Sequence, residues 1–164
     1  MSPTEQMHNK IMTAETLSSM LQQWQGEKVV FTNGCFDLIH RGHIDYLSKA
    51  KTLGSKLFVG INTDRSVSKL KGSHRPLQDE QSRLLIMASF LFVDAVMLFD
   101  EDNPYNLINA VQPDVLVKGG DYIRENIVGY DIVTARGGRV VSLDFLLGYS
   151  TSAIEKKIIL DNNK

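Results

Sequence analysis

The stretch Val29-Val30-Phe31-Thr32-Asn33-Gly34-Cys35-Phe36-Asp37-Leu38-Ile39-His40-Arg41-Gly42-His43 holds the architecture in miniature. Val29–Thr32 is a strand-length apolar run without polar alternation, the pattern of a strand buried on both faces. Gly34 lets the backbone pass close to a ligand, and helical spacing runs from Gly42 to Leu53. A strand that enters a helix through such a turn opens a β-α crossover. Outward from it the unit repeats. Apolar runs at Leu57–Ile61, Ala95–Phe99, Val115–Val117 and Val140–Leu143 alternate with helical stretches at Gln81–Phe92, Pro104–Val111, about 126–135 and Thr151–Leu160. Gly54 and Gly137 stand where left-handed C-cap residues are expected. Asn103-Pro104 reads as an N-cap followed by proline at the first helical position. The pattern predicts an α/β fold: a Rossmann-like, doubly wound, five-stranded parallel sheet with helices on both faces, in a single domain. Toward the N-terminus, residues 1–12 read as a polar, unpatterned arm. Leu17, Met20, Leu21 and Trp24 then recur at helical spacing until Gly26. The organisation expected is an arm and lead-in helix over residues 1–26 and one domain over 27–164.

Composition narrows the functional classes. The chain has 164 residues, 18 Lys+Arg against 19 Asp+Glu, and 43% hydrophobic residues, as one globular domain would. The single cysteine, Cys35, cannot form an intrachain disulfide, which points to a reducing compartment and a cytoplasmic protein. The longest uncharged apolar stretch, Leu84–Val93, is far short of the roughly 20 residues a membrane helix needs. The N-terminal residues lack the apolar block of a secretory signal. A net charge of −1 with no basic run argues against nucleic acid as a partner.

In a doubly wound sheet, ligands bind at the carboxyl ends of the strands. Neither the G-x-G-x-x-G of a dinucleotide fold nor the G-x-x-x-x-G-K-[ST] of a P-loop is present there. His40 and His43 lie three apart at the start of a helix, so both rings can face one phosphate chain beside the free N–H groups. Neutral imidazole donates a hydrogen bond there, and imidazolium would add charge. A pair of surface histidines or two zinc ligands are the alternatives, but no third ligand cluster accompanies them. At the last helix, Gly148-Tyr149-Ser150-Thr151-Ser152-Ala153-Ile154 offers hydroxyls and free N–H groups as a second phosphate site; by itself this is only an N-cap.

The His40-Arg41-Gly42-His43 tetrapeptide resembles the H-x-G-H signature of the cytidylyltransferase-like nucleotidyltransferase superfamily. The Ser150-Thr151-Ser152 turn resembles that family's second signature. Phe58–Asp64, the loop Lys69-Leu70-Lys71-Gly72, Arg83, and Asp114–Tyr122 with its Val-Lys-Gly-Gly-Asp-Tyr run resemble one subgroup more closely. It is the D-glycero-D-manno-heptose 1-phosphate adenylyltransferase domain of ADP-heptose synthase. The likeness covers about residues 29–158. In many bacteria that domain follows a sugar kinase, for which this chain has no room. It therefore reads as a stand-alone form or an excised domain, with a separate sugar kinase upstream.

What the resemblance implies is transfer of AMP from ATP to a heptose 1-phosphate, with release of pyrophosphate. A phosphate monoester is already nucleophilic, so catalysis rests on positioning and charge stabilisation. His40, His43 and Lys71 are the implied catalytic residues. The nucleotide would lie against Asn33, Gly34, Cys35, Phe36, Gly42, Arg83, Lys118, Gly119, Gly120, Asp121, Ser150, Thr151 and Ser152. Asp37, Asp64, Lys69 and Lys71 would face the acceptor. Each has a plainer alternative: turn caps for Asp37 and Asp64, solvated charge for Lys69 and Lys71, ion pairs for Arg83 and for Lys118 with Asp121. No metal ligated by the protein is expected; Mg2+ would arrive with ATP. A cytidylyltransferase acting on glycerol 3-phosphate and a non-catalytic nucleotide-binding module are the competing readings. The approach Phe145-Leu146-Leu147-Gly148-Tyr149 lacks the charged residue that many superfamily members carry there. A homodimer is also implied, with part of Leu84–Val93 buried between subunits.

Overall fold

The computed structural model describes residues 1–162. Five strands form where the apolar runs predicted them: β2 (Val29–Gly34), β3 (Lys56–Asn62), β4 (Ala95–Phe99), β5 (Val115–Gly119) and β6 (Arg139–Leu143). A sixth, β1 (Ile11–Met12), lies inside the segment expected to be an arm, and it pairs with β4 through Ile11↔Val96 and Met12↔Met97. The sheet is thus six-stranded, in the order β1-β4-β3-β2-β5-β6, and all of its pairs are parallel. Two residues are too few to leave a periodic signature, which is why β1 was invisible in the sequence.

Alternate residues of each strand supply two cores, one on each face of the sheet. Val29, Phe31 and Phe58 pack with Leu17 and Met20 of α2 (Ala14–Gln23), Ile108 of α6 (Tyr105–Val111) and Val133 of α7 (Tyr130–Ala135). Val30, Leu57, Val59 and Val115 pack with Leu47 of α3 (Arg41–Lys51) and Met87 of α5 (Glu80–Ala88), with Met7 of α1 (Pro3–His8) alongside.

Several boundaries differ from the sequence reading. The segment after β3 is the helix α4 (Asp64–Lys71), so Lys69 and Lys71 are helical and only Gly72 begins a loop. α5 stops at Ala88, four residues early, and the stretch read as one helix over 126–135 is a 3-10 turn (Arg124–Asn126) followed by α7. Gly137 is the left-handed residue expected after α7, at φ +76. Gly54 is not left-handed; a Cβ there would stand 2.5 Å from the Lys28 carbonyl oxygen, so close approach to β2 is its reason. The N-cap of α6 is Pro104 rather than Asn103, one residue later than the sequence suggested, although the Asn103 side chain still accepts from the Tyr105 amide at 3.0 Å. The last helix, α8 (Thr151–Asn162), leaves Ile158, Ile159 and Leu160 exposed. Among the described residues no helix is long and apolar enough to cross a membrane.

Candidate active site

Chain order reverses between β2 and β5, and there the sheet opens. These strands pair only at Val30↔Val115 and Phe31↔Leu116; beyond them β2 follows β3 and β5 follows β6. Tyr46 of α3 fills the split. Its hydroxyl lies 2.6 Å from Thr32 Oγ1 and donates to the Val117 carbonyl at 3.3 Å, replacing the ladder bonds the strands have given up. Burial pushes the phenol up to about 12 against the smaller pull of the Thr32 hydrogen bond, so the wedge stays neutral.

Above this wedge lies a cavity of about 470 Å³ whose wall includes Asn33–Asp37, His43, Lys71, Lys118, Gly119, Thr151 and Ser152. Two smaller cavities flank it. One, of about 400 Å³, shares Asn33–Cys35 and Lys118 and extends over Asn62, Phe99 and Tyr122. The other, of about 370 Å³, lies between His40–His43 and the Phe145–Thr151 segment. A larger hollow of about 870 Å³ opens at the opposite end of the sheet, around Trp24, Asp114 and Arg139, and holds none of the candidate site residues.

The spacing of the two histidines has a local cause. His40 is the N-cap of α3 and His43 its third residue, so the pair forms a reciprocal capping box. The Gly42 amide donates to His40 Nδ1 at 3.1 Å, and the His40 amide donates to His43 Nδ1 at 3.3 Å. With both Nδ1 atoms accepting, the protons sit on the Nε2 atoms. The rings lie against each other with centroids 3.9 Å apart and planes tilted by 34°. Gly42 makes this possible, because a Cβ there would sit 2.9 Å from His40 Cε1 and Nδ1. Burial, with the charges of His40 and Lys71 behind it, lowers His43 to about 4, and burial lowers His40 too. The pair therefore offers neutral N–H donors to a ligand. Of the two forms considered from sequence, the charged one is disfavoured in the free protein.

At the second helix start, Ser150 Oγ accepts from the Ala153 amide at 3.1 Å, capping α8, while Thr151 and Ser152 border the cavity. Lys118, at the end of β5, is half-buried with no ion-pair partner among the described residues, Asp121 included; burial pulls its pKa down. Lys71 likewise has no carboxylate partner and ends α4 at the cavity wall. Cys35 sits where two cavities meet, its thiol raised by burial and therefore protonated at neutral pH.

Of the other sequence-selected residues, only Asp37 borders the main cavity. Arg83 is buried beneath the cavity, with its nitrogens on Cys35 O (2.6 Å), Gln78 O (3.1 Å) and Asp64 Oδ1 (2.8 Å). Asp64 is the first residue of α4, whose cap is Thr63. Asp37 accepts from the Leu77 and Gln78 amides and from Arg75 Nη1. Burial alone would raise its carboxyl, but those amides and Arg75 outweigh burial and hold it below the usual range. Lys69 is exposed and pairs with Asp102 at 2.6 Å. Asp121 is exposed, and both it and half-buried Gly120 lie outside the cavity linings. In the Leu84–Val93 segment, Leu84, Met87, Ala88 and Val93 are buried within the chain, whereas Leu91 is 95% exposed.

Sequence reasoning missed Tyr46, His74, Arg75, Tyr122, Phe145 and Glu155, all of which line the main cavity. Tyr46 carried a usable signal, a Tyr on the buried face of the helix that H-x-G-H opens. Tyr122 and Phe145 lay in stretches already singled out, at the end of the Val-Lys-Gly-Gly-Asp-Tyr run and ahead of the second signature, whereas His74, Arg75 and Glu155 stand in a loop or on α8 without a pattern.

Comparison with known proteins adds three findings. Residues 31–155 match the family described as Cytidylyltransferase-like. Proteins named "Bifunctional protein HldE" are similar: that of Methylobacillus flagellatus is 49% identical over 92% of this chain and 31% of its own length. That of Citrifermentans bemidjiense is 51% identical over 92% and 31%. The chain thus spans about a third of the length of these relatives. Among solved structures, a lipopolysaccharide core biosynthesis protein from Thermoplasma volcanium has TM-score 0.57 and 28% identity, covering 74% of this chain and 98% of its own. A pantoate-beta-alanine ligase from Francisella tularensis, at TM-score 0.61 and 17% identity over 88% of this chain and 75% of its own, shares the fold.

Proposed function

We propose, for a chain that belongs to the cytidylyltransferase-like family, that the cleft transfers AMP from ATP to D-glycero-D-manno-heptose 1-phosphate. The observation that carries this reading is convergence. His43 with its oriented Nε2–H, the start of α8, and Lys71 and Lys118, which have no carboxylate partner among the described residues, border one cavity at the sheet's switch point, and His40 joins His43 in the wall of the adjoining one. Such an array suits a chain of phosphates. The similarity to the two HldE proteins, and to a lipopolysaccharide core biosynthesis protein, favours a heptose phosphate as acceptor.

In this reading an oxygen of the sugar 1-phosphate attacks the α-phosphorus in line. The bond from that phosphorus to the α,β-bridging oxygen breaks, and the bridging oxygen leaves with its electron pair as part of pyrophosphate. The proposed catalytic groups are His40, His43 and Lys71. The histidines hydrogen-bond oxygens whose charge grows in the transition state, and Lys71, at the end of α4, bridges nucleotide and acceptor. Lys118 and the Thr151–Ser152 turn hold the polyphosphate. The Asn33–Phe36 turn and Gly119 line the nucleotide, with Arg83 and Asp37 supporting them from beneath. The flanking cavities take the nucleoside and the sugar. Magnesium is counted with the substrate, as MgATP.

With these substrates the protein works in the cytoplasm, downstream of a sugar kinase. The exposed Ile158, Ile159 and Leu160 of α8 support pairing of two copies. The test is pyrophosphate release from ATP, CTP, GTP or UTP with α- or β-heptose 1-phosphate, other sugar 1-phosphates or glycerol 3-phosphate. Turnover confined to ATP and a heptose 1-phosphate, lost in His43→Ala, is the expected result. CTP with a polyol phosphate would replace the substrates. Nucleotide binding without turnover on any pair would leave a binding module.

A further inference from the structure

The loop after α4 is strapped to the rest of the cleft through one side chain. Arg75, only 11% exposed, directs Nη1 to Asp37 at 3.1 Å and Nη2 to Glu155 in the second turn of α8. The two carboxylates are not equivalent. Asp37 is 5% exposed and fixed by the Leu77 and Gln78 amides, so its side of the fork is permanent. Glu155 is 30% exposed and, among the described residues, has no partner other than Arg75. Apart from Asp37, it is the one carboxylate in the wall of the main cavity, whose other charged residues are Lys71, Arg75 and Lys118. An anionic chain entering there meets a guanidinium edge already taken by a carboxylate, a group with the geometry of a phosphate's oxygens.

We propose that Glu155 is a placeholder on Arg75, displaced when the terminal phosphates of the nucleotide, or the pyrophosphate product, take its place. This deepens the functional reading and rests on it, because it requires the main cavity to hold the polyphosphate. The exchange balances charge. In the free protein Glu155 neutralises a nearly buried guanidinium that Asp37 alone would share with solvent. In the complex phosphate oxygens take over the fork and Glu155 turns to water. It remains near the start of α8, where a negative charge is favourable. Arg75 then joins the binding groups, and Glu155 sets how tightly they hold a polyphosphate by competing for the same edge.

A plain structural latch predicts the opposite sign, which makes the idea testable without turnover. Calorimetric binding of inorganic pyrophosphate and tripolyphosphate, with magnesium, is measured for the whole chain as wild type, Glu155→Gln, Glu155→Asp and Arg75→Lys. Removing a half-exposed competing charge is expected to tighten binding by about three- to tenfold in Glu155→Gln. The shorter Glu155→Asp reaches the fork less well and falls between. Arg75→Lys, which keeps the charge and loses the fork, weakens binding. Unfolding midpoints in urea establish that each variant is folded. Equal or weaker binding by folded Glu155→Gln, with wild type binding normally, overturns the exchange and leaves the functional reading intact. Absence of binding by wild type overturns the reading of the cavity and the exchange together.

Discussion

Replacing Gly42 by alanine separates the proposed catalytic role of the histidine box from its structural role. Gly42 is the second residue of α3, with φ in the range any residue adopts, so alanine is acceptable to the backbone. Alanine is the better helix former by up to about 1 kcal/mol. The added Cβ would lie 2.9 Å from His40 Cε1 and Nδ1, at least half an ångström inside ordinary contact, and 3.4 Å from Tyr149 Cβ. The His40 ring can swing away at little steric cost, but it then gives up the hydrogen bond from the Gly42 amide. Loss of an N-cap costs about 1 kcal/mol, so the two contributions nearly cancel and the urea midpoint is expected to move little. Activity does not have that compensation. The displaced ring takes its Nε2 donor with it and disturbs His43, whose ring centroid is 3.9 Å away. Removing an oriented donor of this type costs about 10²–10³ in kcat. Pyrophosphate release and urea unfolding on the same preparation read both quantities. Wild-type kcat in Gly42→Ala would refute the argument, and so would an activity loss matched by a large loss of stability.

Four other outcomes follow from the same structure. His43 is lowered to about 4 from an unfolded value of about 6.5, so the unfolded chain binds more protons in between. Stability is therefore lost as pH falls from about 6.5 toward 4, and His43→Gln flattens that part of a urea-midpoint profile; parallel profiles would contradict the assignment. Tyr46→Phe leaves buried Thr32 without its 2.6 Å partner and is expected to cost about 1–3 kcal/mol in urea unfolding. Arg83→Met strips Cys35 O, Gln78 O and Asp64 of one shared donor group, with an expected loss of about 3–5 kcal/mol in the same assay. Lys118 is held in its charged form against burial, so Lys118→Met raises the unfolding midpoint at pH 7, an advantage that disappears above the unfolded lysine value of about 10.4. The same change weakens ATP about tenfold or more by calorimetry, and unaltered affinity would remove Lys118 from the nucleotide site.

What was legible in the sequence is what local physics determines. Strands buried on both faces must be apolar throughout, so β2 to β5 appeared at almost their true bounds. The H-x-G-H and Ser-Thr-Ser turns were legible because each closes its own hydrogen bonds within four residues, His40 with Gly42 and His43, and Ser150 with Ala153. α4 was hidden by its composition, since Asp64–Lys71 buries only Ser66 and Val67. Its one signal was Thr63, whose hydroxyl accepts from the Ser66 amide at 3.1 Å. The residues that sequence reasoning missed are joined over long separations. Tyr46 reaches Val117 across 71 positions and Asp37 reaches Arg75 across 38, and no periodicity can report such a meeting.

Those long-range bonds also sort the charged residues by task. Asp37 and Arg83 each satisfy several backbone groups that the cleft's turns would otherwise leave unpaired: Leu77, Gln78 and Cys35. A buried charge with that many protein partners is held in one place and has little left to offer a ligand. Lys71 and Lys118 have no carboxylate partner among the described residues, although Lys118 is half-buried. A lysine kept in that condition costs stability in the free protein, and the cost is offset only when an anion arrives. The scaffold charges make the turns rigid at the switch point, and the unpaired ones leave an electrostatic deficit facing the cavity. Arg75 stands between the two groups, one edge committed to Asp37 and the other to a carboxylate that solvent can claim. If the cavity takes a polyphosphate as proposed, Arg75 is the side chain that would couple its binding to the α4 loop and to α8.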